Sequence, residues 1–322
     1  MQWRHARGSG MAFIMPAKNK QFIYKLFQYK IMLLMLLPGI AYVIIFNYIP
    51  MAGAVIAFKN YTYSGGLFFS PWVGFDNFRF FFISGRAWPL TRNTFLYNIA
   101  FIVTNMFFEV IFAIILSEIR LRKYKRVTQS SMFFPFFISW VVVASIMYNI
   151  FNYEYGVLNS ILKWFGATPL NIYDNPLIWP FLLVALRAWK SVGYGAVIYL
   201  AAITGLDQQM YEAADIDGAN IWHRIRYITL PSLIPTMVIM FLFAMGGVFR
   251  GDFGMFYQLV GSNGKLFPIA DIIDTFVFRA LIQNPNIGMS AASGLYQSLL
   301  CFITVMLVNK IIKTVQPDYT LF

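Results

Sequence analysis

Residues 212–235, EAADIDGANIWHRIRYITLPSLIP, form a polar insert between two long apolar runs. The first half of the insert mixes acidic residues with small ones that would let another protein approach the backbone closely: Glu212, Ala213, Ala214, Asp217, Gly218 and Ala219. Gly218 has no Cβ and can adopt a positive φ, so it predicts a break between two short helices. Pro231 and Pro235 predict the start of the next helix, because proline is favoured in a first helical turn.

The composition around this insert is that of a membrane protein. Of the 322 residues, 59% are hydrophobic and only 12% are charged, and the mean hydropathy is +0.62. A soluble domain carries about 25% charged residues. A membrane helix needs about 20 apolar residues, and six segments qualify, at about residues 31–55, 94–116, 130–150, 177–204, 233–248 and 290–308. The fifth is short in apolar terms and would reach this length if it continued to Phe253. The sequence therefore predicts an all-α membrane protein with six transmembrane helices, plus an interfacial helix of about ten residues within 152–169.

The distribution of Lys and Arg predicts the orientation, since loops retained in the cytoplasm carry an excess of both. With six crossings, residues 1–30, 117–129, 205–232 and the tail after 309 share one side and hold fifteen of them, against eight on the other. We therefore expect both termini and the Glu212 insert to be cytoplasmic. The same bias accounts for the net charge of +12 without a nucleic-acid partner. Residues 1–30 read as a basic cytoplasmic segment and 31–322 as one transmembrane domain.

The insert resembles a known motif at fixed offsets: Glu212, Ala213, Ala214, Asp217, Gly218, Ala219, Leu230, Pro231 and Pro235. These positions are similar to the EAA loop of permease subunits in binding-protein-dependent ABC importers. The resemblance implies a type I permease fold with a coupling loop at about residues 205–235, whose short helix docks on an ATP-binding subunit. In that role Glu212 would meet a basic residue of the ATPase. Trp222, Ile225 and Tyr227 would either anchor the ATPase or pack under the permease itself.

The same resemblance implies the rest of the assembly. Its members work with a second homologous permease, two ATP-binding subunits and a periplasmic or lipid-anchored solute-binding protein in the bacterial cytoplasmic membrane. ATP and Mg would be bound by the partner subunits, so we expect no cofactor, catalytic residue or metal site in this chain. The segment at 261–266, GSNGKL, is not a phosphate loop, because its glycines stand too close together and no Ser or Thr follows Lys265.

Charged residues within the predicted spans indicate a substrate pathway. Such a charge costs roughly 2.5 to 3.5 kcal/mol on insertion scales and usually faces a cavity or a partner. Arg187 and Lys190 lie one turn apart on one face of the fourth span, and Glu109 lies in the second. Glu109 could form a structural ion pair with one of these two bases. The other base would then keep its positive charge, which suits an anionic substrate. Trp140, Trp189 and Tyr194 could stack on sugar rings or simply pack in the core.

Further motifs narrow the resemblance to a substrate class. The sequence SPWVGFDNF at residues 70–78 and the pair Asn93 and Thr94 are similar to the carbohydrate-uptake permeases, particularly their oligosaccharide and polysaccharide branch. With the basic pathway this implies an acidic oligosaccharide such as alginate. A neutral oligosaccharide is the alternative. An ion-coupled secondary transporter would need several intramembrane acids and usually an inverted repeat, and the sequence displays neither.

Overall fold

The computed structural model describes residues 28–83, 85–283 and 286–315, which are helical apart from their connections and one isolated bridge between Lys59 and Trp72. Within these ranges, five helical runs are long and apolar enough to cross a membrane: Lys30–Phe58, Ala87–Glu118, Pro176–Thr204, Ile221–Met245 and Ile287–Thr314. A sixth crossing is formed if a bent pair of helices counts as one span. The predicted all-α fold is confirmed. The predicted basic segment, residues 1–30, lies outside the described residues except for its last three.

The chain divides into two compact units at Val55 and Ile56. The described part of the first unit is a continuous helical run with α1 (Lys30–Val43), π-helical hydrogen bonding at Ile44–Tyr48, a turn at Ile49–Met51 and a 3₁₀ segment, Ala52–Phe58, that extends into the second unit. The π segment contains Phe46, four residues before Pro50. Because proline has no N–H to donate to that carbonyl, the hydrogen-bond ladder shifts there.

The second unit contains the remaining helices. Those of eight residues or more are α2 (Asp76–Ile83), α3 (Ala87–Glu118), α4 (Arg122–Phe137), α5 (Trp140–Phe151), α6 (Val157–Trp164), α7 (Trp179–Thr204), α8 (Gln208–Ile216), α9 (Leu230–Met245), α10 (Phe253–Val260), α11 (Ile273–Gln283) and α12 (Ile287–Val315). Shorter turns are Gly66–Phe69, Ile172–Asp174, Pro176–Ile178, Ile221–Arg224 and Phe267–Ala270, and Ile225–Thr229 is π-helical. Helix α6 is the predicted interfacial helix, at eight residues instead of about ten.

The core is built on the packing of α3 against α7, which α4 and α9 extend. Glycines on α7 allow this close approach, as small residues do between membrane helices. A Cβ on Gly193 would lie 1.8 Å from the carbonyl oxygen of Met132 in α4, and one on Gly195 would lie 2.0 Å from the carboxyl carbon of Glu109. Helix α7 is therefore positioned by backbone contact on two sides.

The third predicted span, residues 130–150, is not one straight helix. Helices α4 and α5 meet at an angle of 93°. Pro135 weakens the end of α4, and Ser139 starts α5 by accepting a hydrogen bond from the amide of Val142 at 3.4 Å. The Lys190 ammonium group reaches the break from α7 and donates to the carbonyl oxygens of Pro135 (3.3 Å), Phe136 (2.7 Å) and Ile138. The Lys190 ammonium group thus donates hydrogen bonds to carbonyl oxygens at the end of a helix. A side chain of α7 therefore stabilises the bend between α4 and α5.

The helical run that holds the fifth predicted span begins at Ile221, upstream of the predicted start at residue 233, and continues through Ile225–Thr229 into α9. Pro231 stands in the first turn of α9, as the sequence predicts, and Pro235 lies inside that helix. The π segment contains Tyr227, whose carbonyl is the one that Pro231 cannot bond. The shifted ladder lets the helix continue past a residue that normally ends one.

Removing the cation at the bend should destabilise the protein. We expect Lys190→Met to lower the unfolding free energy by about 2 kcal/mol, because hydrogen bonds to a charged group are lost and carbonyl oxygens are left unpaired in the membrane. The matched control is Lys163→Met, since Lys163 is exposed on α6. The two melting temperatures of the purified protein in detergent test this, and equal values would contradict the capping role.

Candidate functional site

The segment 208–224, called the elbow below, consists of two short helices that join at Gly218. Gly218 has a φ of +76°, and its amide donates to the carbonyl of Asp215 at 3.2 Å while that of Ala219 donates to Ala214 at 2.9 Å. This is the glycine-ended helix terminus that the sequence predicts, and the break at Gly218 is confirmed. The next turn starts at Asn220, whose side chain accepts from the amide of His223 at 3.0 Å.

The elbow exposes acidic and apolar groups on its outer surface. Glu212, Ala213, Asp217 and Gly218 are exposed, whereas Ala214 and Ala219 are half-buried. Three apolar residues were predicted either to contact the ATPase or to pack under the permease. Trp222 and Tyr227 have exposed fractions of 75% and 66%, whereas Ile225 packs against the core of the bundle. Ile216 is 86% exposed. The elbow thus combines an uncovered apolar surface with carboxylates, as protein docking surfaces do.

Arg224 fastens the elbow to the bundle. Its guanidinium donates to Asp215 on α8 at 2.6 Å and to Glu118 at the end of α3 at 3.3 Å. The hydroxyl groups of Tyr211 and Thr229 lie 3.0 Å apart and add a second attachment. Side-chain contacts therefore connect α8 to the end of α3 and to the π-helical segment that leads into α9. Sequence reasoning missed Arg224, because nothing local relates it to a carboxylate 106 residues away.

A cavity of about 370 Å³ lies between α3, α7 and α9 and the turn that follows α9. Apolar side chains such as Phe101 and Met240 form part of its wall. The polar and charged residues that line it are Asn98, Asn105, Glu109, Arg187, Tyr199 and Arg250. A few convergent polar groups in a mostly apolar cavity are typical of a small-molecule pathway.

The structure brings together two of the residues predicted for the substrate pathway and places the other four elsewhere. Arg187 and Glu109 line the cavity. Lys190 lies at the α4–α5 bend, and Trp189 faces an apolar groove of about 580 Å³ between α3, α4 and α7. Tyr194 stacks on Phe136 with 4.6 Å between ring centroids, and Trp140 donates its indole N–H to Asp252 at 3.0 Å.

Arg187 forms its ion pair with Asp252 and not with Glu109. Within the described ranges, the Glu109 carboxylate has no ion pair and packs against the backbone of Gly195. Arg250 adds a second guanidinium to the lining. Two guanidinium groups and one carboxylate therefore line the cavity, and Asp252 pairs with Arg187 from outside the lining, so the positive excess stays a prediction. The sequence reading missed Asp252 and Arg250 because they follow the fifth span, although the run at 250–252, RGD, is a local signal.

Two buried polar atoms at this cavity have no hydrogen-bond partner among the described residues. They are Nε of Arg187, a donor, and Oδ1 of Asn105, an acceptor. Buried polar groups are normally paired. Both atoms are enclosed by the protein, so a ligand in the cavity contacts them only if the surrounding side chains move.

Another carboxylate supports the turn that carries Arg250 and Asp252. Asp274 accepts from the amide of Gly251 at 2.8 Å and from the Gln297 side chain at 3.0 Å. Burial raises the pKa of Asp274 above its usual value, and these hydrogen bonds and the nearby Arg250 oppose the rise in pKa. The turn between α9 and α10 is thereby tied to α11 and α12.

Comparison with known proteins assigns the chain to a family. Residues 109–316 match the family described as binding-protein-dependent transport system inner membrane component. The chain belongs to this family. The polygalacturonan/rhamnogalacturonan transport system permease YteP of Bacillus subtilis is 33% identical over 301 residues, 92% of each chain. The arabinooligosaccharide permease AraP of Halalkalibacterium halodurans is 30% identical over 215 residues, 66% of each chain.

Solved structures agree with this family. A chain of the bacterial alginate ABC transporter, in complex with its periplasmic protein carrying an alginate pentasaccharide, superposes with a TM-score of 0.80 at 26% identity, covering 91% of this chain and 97% of that one. A second structure of a bacterial ABC transporter for alginate import gives 0.81, also at 26% identity, covering 92% and 99%. The permease fold predicted from the elbow is therefore confirmed. The matched region holds the elbow and the charged residues Glu109, Arg187 and Arg250.

Proposed function

We propose that this permease forms half of the translocation pathway of an ATP-driven importer for an oligosaccharide that carries carboxylate groups. The observation that supports this most is the pair of guanidinium groups, Arg187 and Arg250, on the wall of one cavity between the helices. Arginine binds a carboxylate through two parallel hydrogen bonds. The amides of Asn98 and Asn105 and the hydroxyl of Tyr199 supply the groups that sugar hydroxyls bond.

The names of the similar proteins support the same substrate class. YteP is named for polygalacturonan and rhamnogalacturonan, and the two similar structures belong to transporters of alginate. All three names refer to polymers that contain uronic acids. We assign this chain to an oligosaccharide of that kind, alginate-like in carrying a carboxylate on its sugar units.

The elbow is proposed to be the part that an ATPase moves. Its exposed Trp222 and Ile216 would enter a cleft of an ATP-binding subunit, and Arg224 would pass the movement to α3. The complete importer then contains a second homologous permease, two ATP-binding subunits that hold ATP and Mg, and a periplasmic or lipid-anchored solute-binding protein. Both termini and the elbow would lie on the cytoplasmic side, with no catalysis in this chain.

A neutral oligosaccharide is the second candidate. The observation in its favour is the ion pair between Arg187 and Asp252, which neutralises one of the two guanidinium groups that line the cavity. The similarity to AraP, a permease named for arabinooligosaccharides, fits this alternative as well.

Binding of two trisaccharides to the purified complete importer, without its solute-binding protein, separates the two candidates. We expect trigalacturonate to bind more tightly than arabinotriose, and Arg187→Gln to weaken the binding of trigalacturonate by about tenfold or more, since a charged hydrogen bond is lost. Arg126→Gln, at an exposed position on α4, is the matched control and should change neither affinity.

Equal or tighter binding of arabinotriose would favour the neutral candidate.

Uptake in vesicles extends the test to the energy source. If the purified permease alone moved the sugar along a proton or sodium gradient, the importer proposal would fail.

A further inference from the structure

Asp252 forms an ion pair with Arg187, whose guanidinium group a substrate carboxylate would need. We infer that Asp252 is an internal competitor: it pairs with Arg187 while the cavity is empty and yields that arginine to a uronate group when the sugar arrives. Asp252 would then be the specificity-determining residue for charge. The inference rests on the proposed function, because only a substrate with a carboxylate can make this exchange.

Asp252 is held by more than the arginine. Its Oδ1 accepts from the amide of Met255 at 3.0 Å, which caps the start of α10. Its Oδ2 accepts from the indole N–H of Trp140 at 3.0 Å and from Arg187. Loss of Arg187 therefore leaves the carboxylate without a counter-ion but with two hydrogen bonds, from the amide of Met255 and the indole of Trp140.

Arg187 also has capacity to bind a second carboxylate. Only its Nη1 reaches Asp252, and its buried Nε has no partner in the described part of the chain. Because Nε itself is enclosed by the protein, a carboxylate would bind the exposed part of the guanidinium group. The side chain of Arg187 has an exposed fraction of 32% and lines the cavity, so a ligand there can reach the arginine.

The exchange replaces one anion by another, and this makes it selective. A uronate that displaces Asp252 keeps Arg187 neutralised, whereas a neutral sugar that did so would leave a half-buried guanidinium without a counter-ion. A neutral sugar therefore leaves the pair intact and gains nothing from Arg187. The discrimination between acidic and neutral sugars depends on competition with Asp252 for Arg187. Removal of Asp252 should therefore strengthen the binding of acidic sugars only.

Asp252→Asn tests this with the same two trisaccharides and the purified complete importer. The amide has no negative charge, and its remaining oxygen can still cap α10. We expect its Kd for trigalacturonate to fall by about tenfold, the equivalent of one charge-assisted hydrogen bond that no longer has to be broken. The Kd for arabinotriose should not change. Asp252→Ser, which also caps a helix without a charge, is the second variant in case asparagine impairs folding.

Two further variants identify the cause. In the double variant Arg187→Gln with Asp252→Asn the gain in affinity should disappear, because the two residues act on each other. Trp140→Phe keeps the carboxylate but removes one of the two hydrogen bonds that Asp252 retains after release, so the Kd for trigalacturonate should rise in this variant and not fall. Melting temperatures show which variants are folded.

The outcomes separate this inference from the proposed function. If the unmodified importer prefers trigalacturonate but Asp252→Asn binds it equally or more weakly, the competition is wrong and Asp252 serves to position Arg187. If both sugars gain affinity equally in Asp252→Asn, the effect is structural and the inference fails. If the unmodified importer does not prefer trigalacturonate, the proposed function is wrong, and this inference is wrong as well because it rests on that function.

Discussion

Gly218→Asp is expected to lower ATP-driven uptake by about two orders of magnitude while membrane insertion stays normal. The glycine is exposed on the elbow, and an added Cβ would meet no atom of the chain within 4 Å. The damage must therefore come from backbone strain at its φ of +76° and from a new charge on the docking surface. The strain costs about 1 to 2 kcal/mol, and a hot spot on a docking surface is worth at least about 2 kcal/mol more. Uptake of labelled trisaccharide into vesicles, with the amount of inserted permease determined separately, measures the effect.

Gly166 offers a matched control for Gly218. It ends α6 with the same hydrogen bonds, from Gly166 to Lys163 at 3.0 Å and from Ala167 to Leu162 at 2.9 Å. Its φ is +71°, and an added Cβ would again meet nothing within 4 Å. Gly166→Asp should therefore suffer the same strain but keep uptake within about twofold of the unmodified protein. An equal loss in both variants would mean that strain alone is responsible and would remove the docking role of the elbow.

Gly193→Ala is expected to prevent the bundle from reaching its native packing. The new Cβ would lie 1.8 Å from the carbonyl oxygen of Met132 and 2.4 Å from its carbonyl carbon. Both atoms belong to the backbone of α4, so no side chain can turn away, and two helices must separate. Overpacking of this kind costs about 3 kcal/mol or more. The amount of monodisperse protein after extraction in detergent and its melting temperature measure the loss.

Gly294 in α12 is the control for that substitution, because a Cβ there would meet nothing within 4 Å. Gly294→Ala should be neutral or stabilising by up to about 1 kcal/mol, since alanine is the better helix former. Normal yield and melting temperature for Gly193→Ala would show that α4 and α7 are not in close contact in the membrane.

Local chemistry made much of this fold predictable. The long apolar runs indicate membrane helices because a helix satisfies its own backbone in lipid, and Gly218 indicates the elbow because few other residues accept a positive φ. The reading failed where a local rule was overridden. Pro231 stands in the first turn of α9, but the helical run already starts at Ile221, because π-helical bonding before the proline removes the conflict. The third span bends because Lys190 on another helix satisfies the carbonyls that a break exposes.

The sequence by itself determined the class of the protein and the break at Gly218, since each depends on neighbouring residues and on composition. Only the tertiary structure decided which charges meet. Arg187 pairs with Asp252 across 65 residues instead of with Glu109, and Arg224 joins Glu118 across 106. The physical reason is that an ion pair depends on which faces of separate helices come into contact, and backbone contacts such as Gly193 on Met132 fix those faces.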